Sequence, residues 1–354
     1  MIDEMNKKIT LQDIADEMGL SRNTISKALN DHDDVAEETK RMVQNTAIAL
    51  GYKKFNIISD SARNTIESRG NIVFLNYGDT VETSYWSFIS KGIEEELSKK
   101  GYNLILNFIN AEDEKNLVLP RVINQKSTDG ILLMGSLNEQ YIHKICTQQV
   151  PIVLIDAPST LLSTQLRADV VMMENEDSVF ALAEHLIHLG HKEIGFIGDI
   201  QYSKSIQERW YGFVKAMKEN GLSIDLTQCI IHETLEQYQD PFSIEMDLDK
   251  MKKMPTAFVC ANDRIAIHTI RLLQKRKYHI PEDISVVGFD DIQEATIVDP
   301  ALTTVQVHKE EIGRRAAAEL IWRIENPEQP YEFIRIQNCL KWRNSTSQFI
   351  EKNV

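Results

Sequence analysis

From Gly19 to Asn30 the chain reads Gly-Leu-Ser-Arg-Asn-Thr-Ile-Ser-Lys-Ala-Leu-Asn, with two cations and no acidic residue. An arginine can bond guanine at two points, and an asparagine can do the same with adenine. Ser21, Thr24 and Ser26 suit phosphate or capping roles, while Lys27 reaches either a phosphate or a base. This chemistry reads a sequence only when a helix presents it to a groove, so the neighbouring elements decide its meaning. Thr10-Leu11-Gln12-Asp13 offers a hydroxyl N-cap with an acid three positions on, and Leu11, Ile14, Ala15 and Met18 line one face until Gly19. Ser21 caps a second segment that turns Ile25, Ala28 and Leu29 inward. A third helix is expected from about Glu37 to Leu50, stopped by Gly51. Two helices joined by a few residues around a glycine fit a helix-turn-helix, whose second helix enters the major groove. Thr10, Ser21, Arg22, Asn23, Thr24, Ser26, Lys27 and Asn30 are therefore the candidate DNA contacts. A solvated face on a packing helix accounts less well for apolar, small and bifunctional polar residues in this order.

At 354 residues the chain exceeds one ordinary core, and about 150 residues per domain gives two to three domains. With 42% apolar and 26% charged residues and a mean hydropathy of −0.29, it reads as soluble and globular. No apolar run reaches the roughly 18 residues of a spanning helix, and Met1–Thr10 has no signal-peptide core. Cys146, Cys229, Cys260 and Cys339 stand far apart and read as buried free thiols in a reducing compartment, so the expected location is cytoplasmic. The net charge of −14 argues against binding nucleic acid by bulk charge. Residues 1–63 hold nine basic and eleven acidic side chains, so even this segment is not cationic. Any DNA binding is expected to rest on few phosphate contacts and to show a shallow salt dependence.

After Gly70 the texture changes to short apolar strands alternating with amphipathic helices. Strands are expected at 71–75, 102–106, 130–135, 151–156, 193–198, 256–260 and 284–288, and helices at 88–100, 176–189, 205–220 and 263–275. Such alternation predicts an α/β core of parallel sheets covered on both faces, and its length favours two sheets over one.

Thr10–Ala15 followed by Gly19–Asn30 resembles the headpiece of LacI/GalR-family transcriptional regulators, and Tyr52 after Gly51 continues the match. Arg209-Trp210-Tyr211-Gly212-Phe213, Ala261-Asn262-Asp263-Arg264-Ile265-Ala266 and Pro281–Asp291 are similar to further family segments, as are Leu302–Val305 and Arg343–Thr346. The resemblance implies a small all-α headpiece tethered to a two-lobed core of the periplasmic-binding-protein type. It implies a homodimer on a pseudo-palindromic operator of double-stranded DNA. A small effector, a sugar or sugar phosphate or a nucleobase-type metabolite, would sit between the lobes; neither cofactor nor metal nor membrane is expected. The implied boundaries are 1–54 for the headpiece and 55–70 for the hinge. Residues 71–172 with 303–328 form one lobe, 173–302 with 329–346 the other, and 347–354 a tail.

Carried over position by position, Arg209, Asn262 and Asp290 match effector-binding positions of the family. Their chemistry agrees, because Asn262 and Asp290 follow strands at the carboxyl ends where open parallel sheets bind ligands. Asp156 qualifies for the same reason. Tyr85 and Trp86, expected in the loop after the first strand, match a family aromatic pair; for Trp86 core packing and stacking on a ring both fit. Asp263 reads as a helix N-cap. Three features depart from the family. Its hinge carries a leucine wedge for the minor groove, but no leucine stands in this linker: either Ile57 or Ile58 is the wedge, or the hinge binds differently. Ala36 replaces a serine cap, and Glu174-Asn175 stands where Asp-Asn is common.

The remaining constellations reduce to structure. His185, His188 and His191 are spaced for a metal face, yet Gly190 breaks the helix before the third. There is no H-E-x-x-H, P-loop or G-x-G-x-x-G, and no Ser/His/Asp arrangement. The expectation is a carbohydrate-responsive repressor and not an enzyme. An unregulated sugar-binding protein, or a sugar or nucleoside hydrolase on the same core, are the alternatives.

Overall fold

Reciprocal capping starts the N-terminal unit. Thr10 Oγ1 accepts the Asp13 amide at 3.4 Å, and the Asp13 carboxylate accepts the Thr10 amide at 2.7 Å. They open α1 (Leu11–Met18), which Gly19 closes in the left-handed region at φ 64°. Ser21 Oγ accepts the Thr24 amide at 3.0 Å and opens α2 (Arg22–Leu29). Ile14, Ala15, Ile25 and Ala28 are buried together with Val43. The computed structural model describes residues 10–29, 32, 34–36, 39–40, 42–43, 46, 69–77, 83–124, 128–135, 137–161, 166–231 and 241–351. Of the third expected helix, Thr39, Lys40, Met42, Val43 and Thr46 are helical. Asn30 and the hinge candidates Ile57 and Ile58 lie outside the described residues. The chain divides into two compact units, 1–66 and 67–354.

The second unit is built on two parallel sheets. The first has six strands: β1 (Gly70–Tyr77), β2 (Tyr102–Ile109), β3 (Thr128–Met134), β4 (Ile152–Ile155), β5 (Asp169–Met173) and β10 (Phe333–Ile336), ordered β10-β5-β4-β3-β1-β2. Its inner strands are apolar on both faces, as Ile72–Leu75 and Ile152–Ile155 are wholly buried, because helices cover both sides. On one side α3 (Thr83–Lys99) meets α10 (Lys309–Glu325) with backbones almost touching. A Cβ on Gly313 would lie 2.0 Å from the Ile89 carbonyl, and one on Gly92 would lie 2.0 Å from that of Glu310. The second sheet runs β6 (Ile194–Ile197), β7 (Ala257–Cys260), β8 (Ser285–Val287). Single bridges extend it to β9 (Thr304–Gln306), which pairs antiparallel with β11 (Cys339–Lys341). Helices α6 (Glu176–His188), α7 (Lys204–Glu219) and α9 (Asp263–Lys275) accompany this sheet.

The chain passes between the sheets three times, after β5, after β9 and after β10. At the first passage the longer Glu174 does the capping, its carboxylate accepting the amides of Asp177 at 2.6 Å and Ser178 at 2.8 Å. At the third, Asn338 Nδ2 donates to the Glu174 carbonyl and to Ser178 Oγ, so two passages are bonded side by side.

The structure differs from the sequence reading at several points. Strand β10 pairs in parallel with β5 and belongs to the first sheet, whereas the family resemblance places 329–346 in the second lobe. The cause is a buried clamp. Arg323 forks onto Asp169 at 2.7 and 2.8 Å and holds the Pro330 carbonyl at 2.8 Å, and the Glu332 amide bonds Asp169, folding the chain back. Strand β9 lies against the second sheet, whereas the family resemblance places 303–328 in the first lobe. Tyr85 and Trp86 lie within α3, not in a loop, because weak helix formers such as Thr83 and Ser84 hide its start. Of the four cysteines only Cys260 is buried, and Cys339 is exposed.

Candidate functional site

Arg209 organises the carboxyl ends of the second sheet. It projects from α7, whose Ser203 cap accepts the Ile206 amide at 3.3 Å. A buried guanidinium must be bonded on its edges and covered on its face, and this one is only 4% exposed. Its Nε donates to Asn175 Oδ1 at 2.9 Å, one terminal nitrogen donates to the Ala261 carbonyl at 2.7 Å, and the other stands 3.8 Å from Asp290 Oδ1. The guanidinium sits over the Phe289 ring, 3.7 Å from ring centre to guanidinium carbon. Asn175 is fixed in turn by the Met173 carbonyl at 2.9 Å and Glu208 at 3.3 Å.

Asp290 and Asp291 follow β8 with φ of 117° and 51°, a region that non-glycine residues rarely adopt. Lys309 holds this turn by donating to the Asp290 and Asp291 carbonyls, and Arg343 bonds the Asp291 carboxylate at 2.6 Å. The same Lys309 ammonium stands 5.5 Å from the Tyr85 ring centre, joining the first sheet's helix to the second sheet's turn. Asp156, ending β4, is also left-handed at φ 68°. Its Oδ1 accepts the Ala157 amide at 2.7 Å and, from α7 beside the second sheet, the Ser205 amide at 3.2 Å. Burial pushes its carboxyl above the usual aspartate range, against the pull of those amides and of Arg209.

Asn262, not Asp263, caps α9: Asn262 Oδ1 accepts the Ile265 amide at 2.9 Å. Asp263 occupies the first helical position, fully buried, and accepts bonds from Thr304 Oγ1 and the Ile292 amide. Burial, with Asp290 beside it, pushes its carboxyl up to about 8. Tyr85, Asp156, Arg209, Asn262 and Asp290 thus gather where the two sheets' strand ends meet. Trp86 instead sets its ring edge-on to Phe108, at 5.7 Å between centres. Sequence reasoning missed Asn175 and Lys309. Asn175 follows a strand as Asp290 does, so the same criterion would have found it, whereas no local pattern marks Lys309.

On the N-terminal unit, Arg22 and Asn23 are exposed at the start of α2. Ser21 and Thr24 share a hydroxyl contact of 2.8 Å within the cap, Thr10 is bound into its capping box, Ser26 is half-buried, and Lys27 pairs with Asp34 at 2.7 Å. Among the described residues no helix is long and apolar enough to cross a membrane.

The HTH-type transcriptional repressor PurR of Glaesserella parasuis serovar 5 is 31% identical over 326 residues, 91% of this chain and 92% of that protein. This chain belongs to the LacI family. The profile "Bacterial regulatory proteins, lacI family" matches residues 10–54, and "Periplasmic binding protein-like domain" matches 183–346. A LacI-family regulator from Enterococcus faecium with bound ribose is 25% identical, with a TM-score of 0.65 over 79% of this chain and all of that one. The lac repressor dimer bound to operator and an anti-inducer, at 20% identity, shares the fold with a TM-score of 0.66 over 96% of this chain and all of that one. As a LacI-family member the chain is a DNA-binding transcriptional repressor. The periplasmic-binding-protein match covers β6 through β11 and with them Arg209 on α7, Asn262 at the cap of α9 and Asp290 after β8.

Proposed function

We propose that this repressor works in the cytoplasm as a homodimer on a pseudo-palindromic operator, and that a small sugar or sugar phosphate bound between its lobes sets its operator affinity. Arg22 and Asn23 read base edges, while Thr10, Ser21, Thr24, Ser26 and Lys27 position α2 through phosphates or caps. In the cleft Asp156, Asn262 and Asp290 meet ligand hydroxyls, Arg209 fixes Asp290, and Tyr85 offers an apolar face. The observation that carries this reading is the Arg209 cluster, a bonded cationic side chain that holds a strained aspartate at the ends of parallel strands. Ribose bound to the Enterococcus faecium regulator lends support. The lac repressor dimer on operator does the same for the assembly. The ligand acts by population shift: it must favour one lobe arrangement over the other to alter DNA affinity.

The deciding experiment is a mobility-shift titration on DNA from the protein's own promoter region, with and without a panel of sugars. The expected result is specific binding that one sugar class strengthens or weakens. Absence of specific binding to any such DNA would overturn the regulatory reading, and turnover of a sugar would favour a hydrolase.

A further inference from the structure

Asn175 holds the Arg209 guanidinium through one atom, its Oδ1, which accepts Nε at 2.9 Å. The oxygen and nitrogen of an amide lie in one rigid plane, so whatever fixes Nδ2 also aims Oδ1. Three acceptors surround that nitrogen: the Met173 carbonyl at 2.9 Å, Glu208 Oε2 at 3.3 Å and Ser205 Oγ at 3.4 Å. The amide has two hydrogens to share among them, and a charged acceptor weights the choice. Glu208 is only 7% exposed, and a carboxylate so enclosed needs a charged partner. Among the described residues its ion-pair partner is Arg335, whose Nη2 donates to Oε1 at 2.7 Å. Phe333 backs that guanidinium, with its ring centre 4.9 Å away.

These contacts run from Arg335 through Glu208 and Asn175 to Arg209, and they change sheets on the way. Arg335 stands on β10, an edge strand of the first sheet through its pairing with β5. Glu208 and Arg209 are successive residues of α7, and Asn175 precedes α6 at the end of the first inter-sheet passage. Successive side chains on a helix do not face each other, so Glu208 acts on Arg209 through Asn175.

We propose that Arg335 and Glu208 are positioning residues for Arg209, and that the step from one sheet to the other makes the aim of Arg209 depend on how the two lobes stand. This rests on the reading of Arg209 as an effector-site residue. The ion pair is whole only while β10 and α7 keep their present separation. A rotation that parts them leaves Glu208 enclosed with an amide alone, and Asn175 is drawn toward the unmatched charge and away from Arg209. A contact made in one lobe arrangement and not in the other is what couples a site to a conformation.

The test uses the full-length protein. Heteronuclear NMR spectra record the Nε–H group of each arginine, and that of Arg209 is assigned through bonds to its own backbone amide. Glu208→Gln keeps the shape of the side chain and Arg335 is exposed, so both sites tolerate replacement. In Arg335→Gln the Arg209 Nε–H signal should move and exchange with solvent several-fold faster, and Glu208→Gln should act the same way. Arg335→Lys, which keeps the charge, should stay nearer the parent. Arg276→Gln, which removes a different ion-paired arginine, the partner of Asp249, should leave Arg209 unchanged. An Arg209 signal that ignores both Arg335→Gln and Glu208→Gln overturns the inference, as does one that Arg276→Gln moves equally. Operator binding by fluorescence anisotropy, with ribose, glucose or fructose added, reads the coupling. The factor by which a sugar alters operator affinity should fall about two- to tenfold in Arg335→Gln and recover in Arg335→Lys. A factor equal to the parent's overturns the dependence on the lobes. If Arg209 responds in the spectra but no sugar alters operator affinity, the positioning stands while the sugar reading of the effector fails, and the coupling with it.

Discussion

The ammonium of Lys27 lies 2.7 Å from the carboxylate of Asp34, so the basic end of α2 carries its own counter-ion. Asp34 is held below its ordinary range by that bond, which keeps its carboxylate charged. A DNA phosphate reaching Lys27 must displace Asp34, which weakens the gain from that contact. The variant Asp34→Asn should therefore bind DNA more tightly at low salt and raise the slope of log affinity against log salt by about 1. Fluorescence anisotropy over a salt series checks this; an unaltered slope would remove Lys27 from the phosphate contacts.

Arg22 is exposed at the first turn of α2, where a base-reading side chain belongs. Arg22→Ala should lose about 1–3 kcal/mol and relax specificity at one base position. Binding to operators randomised one position at a time separates this outcome from a uniform weakening, which would assign Arg22 to phosphate.

Gly313 and Gly92 let α3 and α10 pack backbone on backbone. In Gly313→Ala the new methyl meets the Ile89 carbonyl, a rigid neighbour, so the helices must part and the core loosens by about 1–3 kcal/mol. Urea unfolding should show a lower midpoint at unchanged slope, and a midpoint equal to the parent's would show that the helices part freely.

Asp263 sets a pH dependence. Its carboxyl is pushed up to about 8 in the folded protein, by burial first and Asp290 second. The unfolded chain releases that proton near pH 3.9, so the folded state binds the extra proton between about pH 4 and pH 8. The stability from this group is full below about pH 4 and is lost as pH rises toward 8. Asp263→Asn keeps the acceptor for the Ile292 amide and can donate to Thr304, and it should flatten the decline in thermal stability over that window. A decline of the same size in the variant would locate the titration elsewhere.

The headpiece was legible because its signals are local. Thr10 with Asp13, Gly19 and Ser21 each act within one turn, and all are found doing so. Strands β1, β4, β7 and β8 were equally legible, since each holds a continuous apolar run, whereas β5 and β9 to β11 were not expected. What stayed hidden depends on distant partners. Nothing near Phe333 tells which sheet it joins, because the decision rests with Asp169 and Arg323, 154 residues apart in sequence. Asp263 had the composition of a cap, but its neighbour Asn262 took the role and left it buried against Thr304. Lys309 is one charge on a charged helix until folding brings it to the Asp290 turn.

The bonds from Asn338 to Glu174 and Ser178 tie two of the three inter-sheet passages into one ribbon. A tied ribbon resists sliding but still twists. Rotation about this ribbon is the motion its bonds oppose least, and in a rotation a displacement small at the pivot grows in proportion to distance from it. Under the proposed effector reading, contraction around a ligand near this pivot would be read out as a much larger arc at the far rim of each lobe.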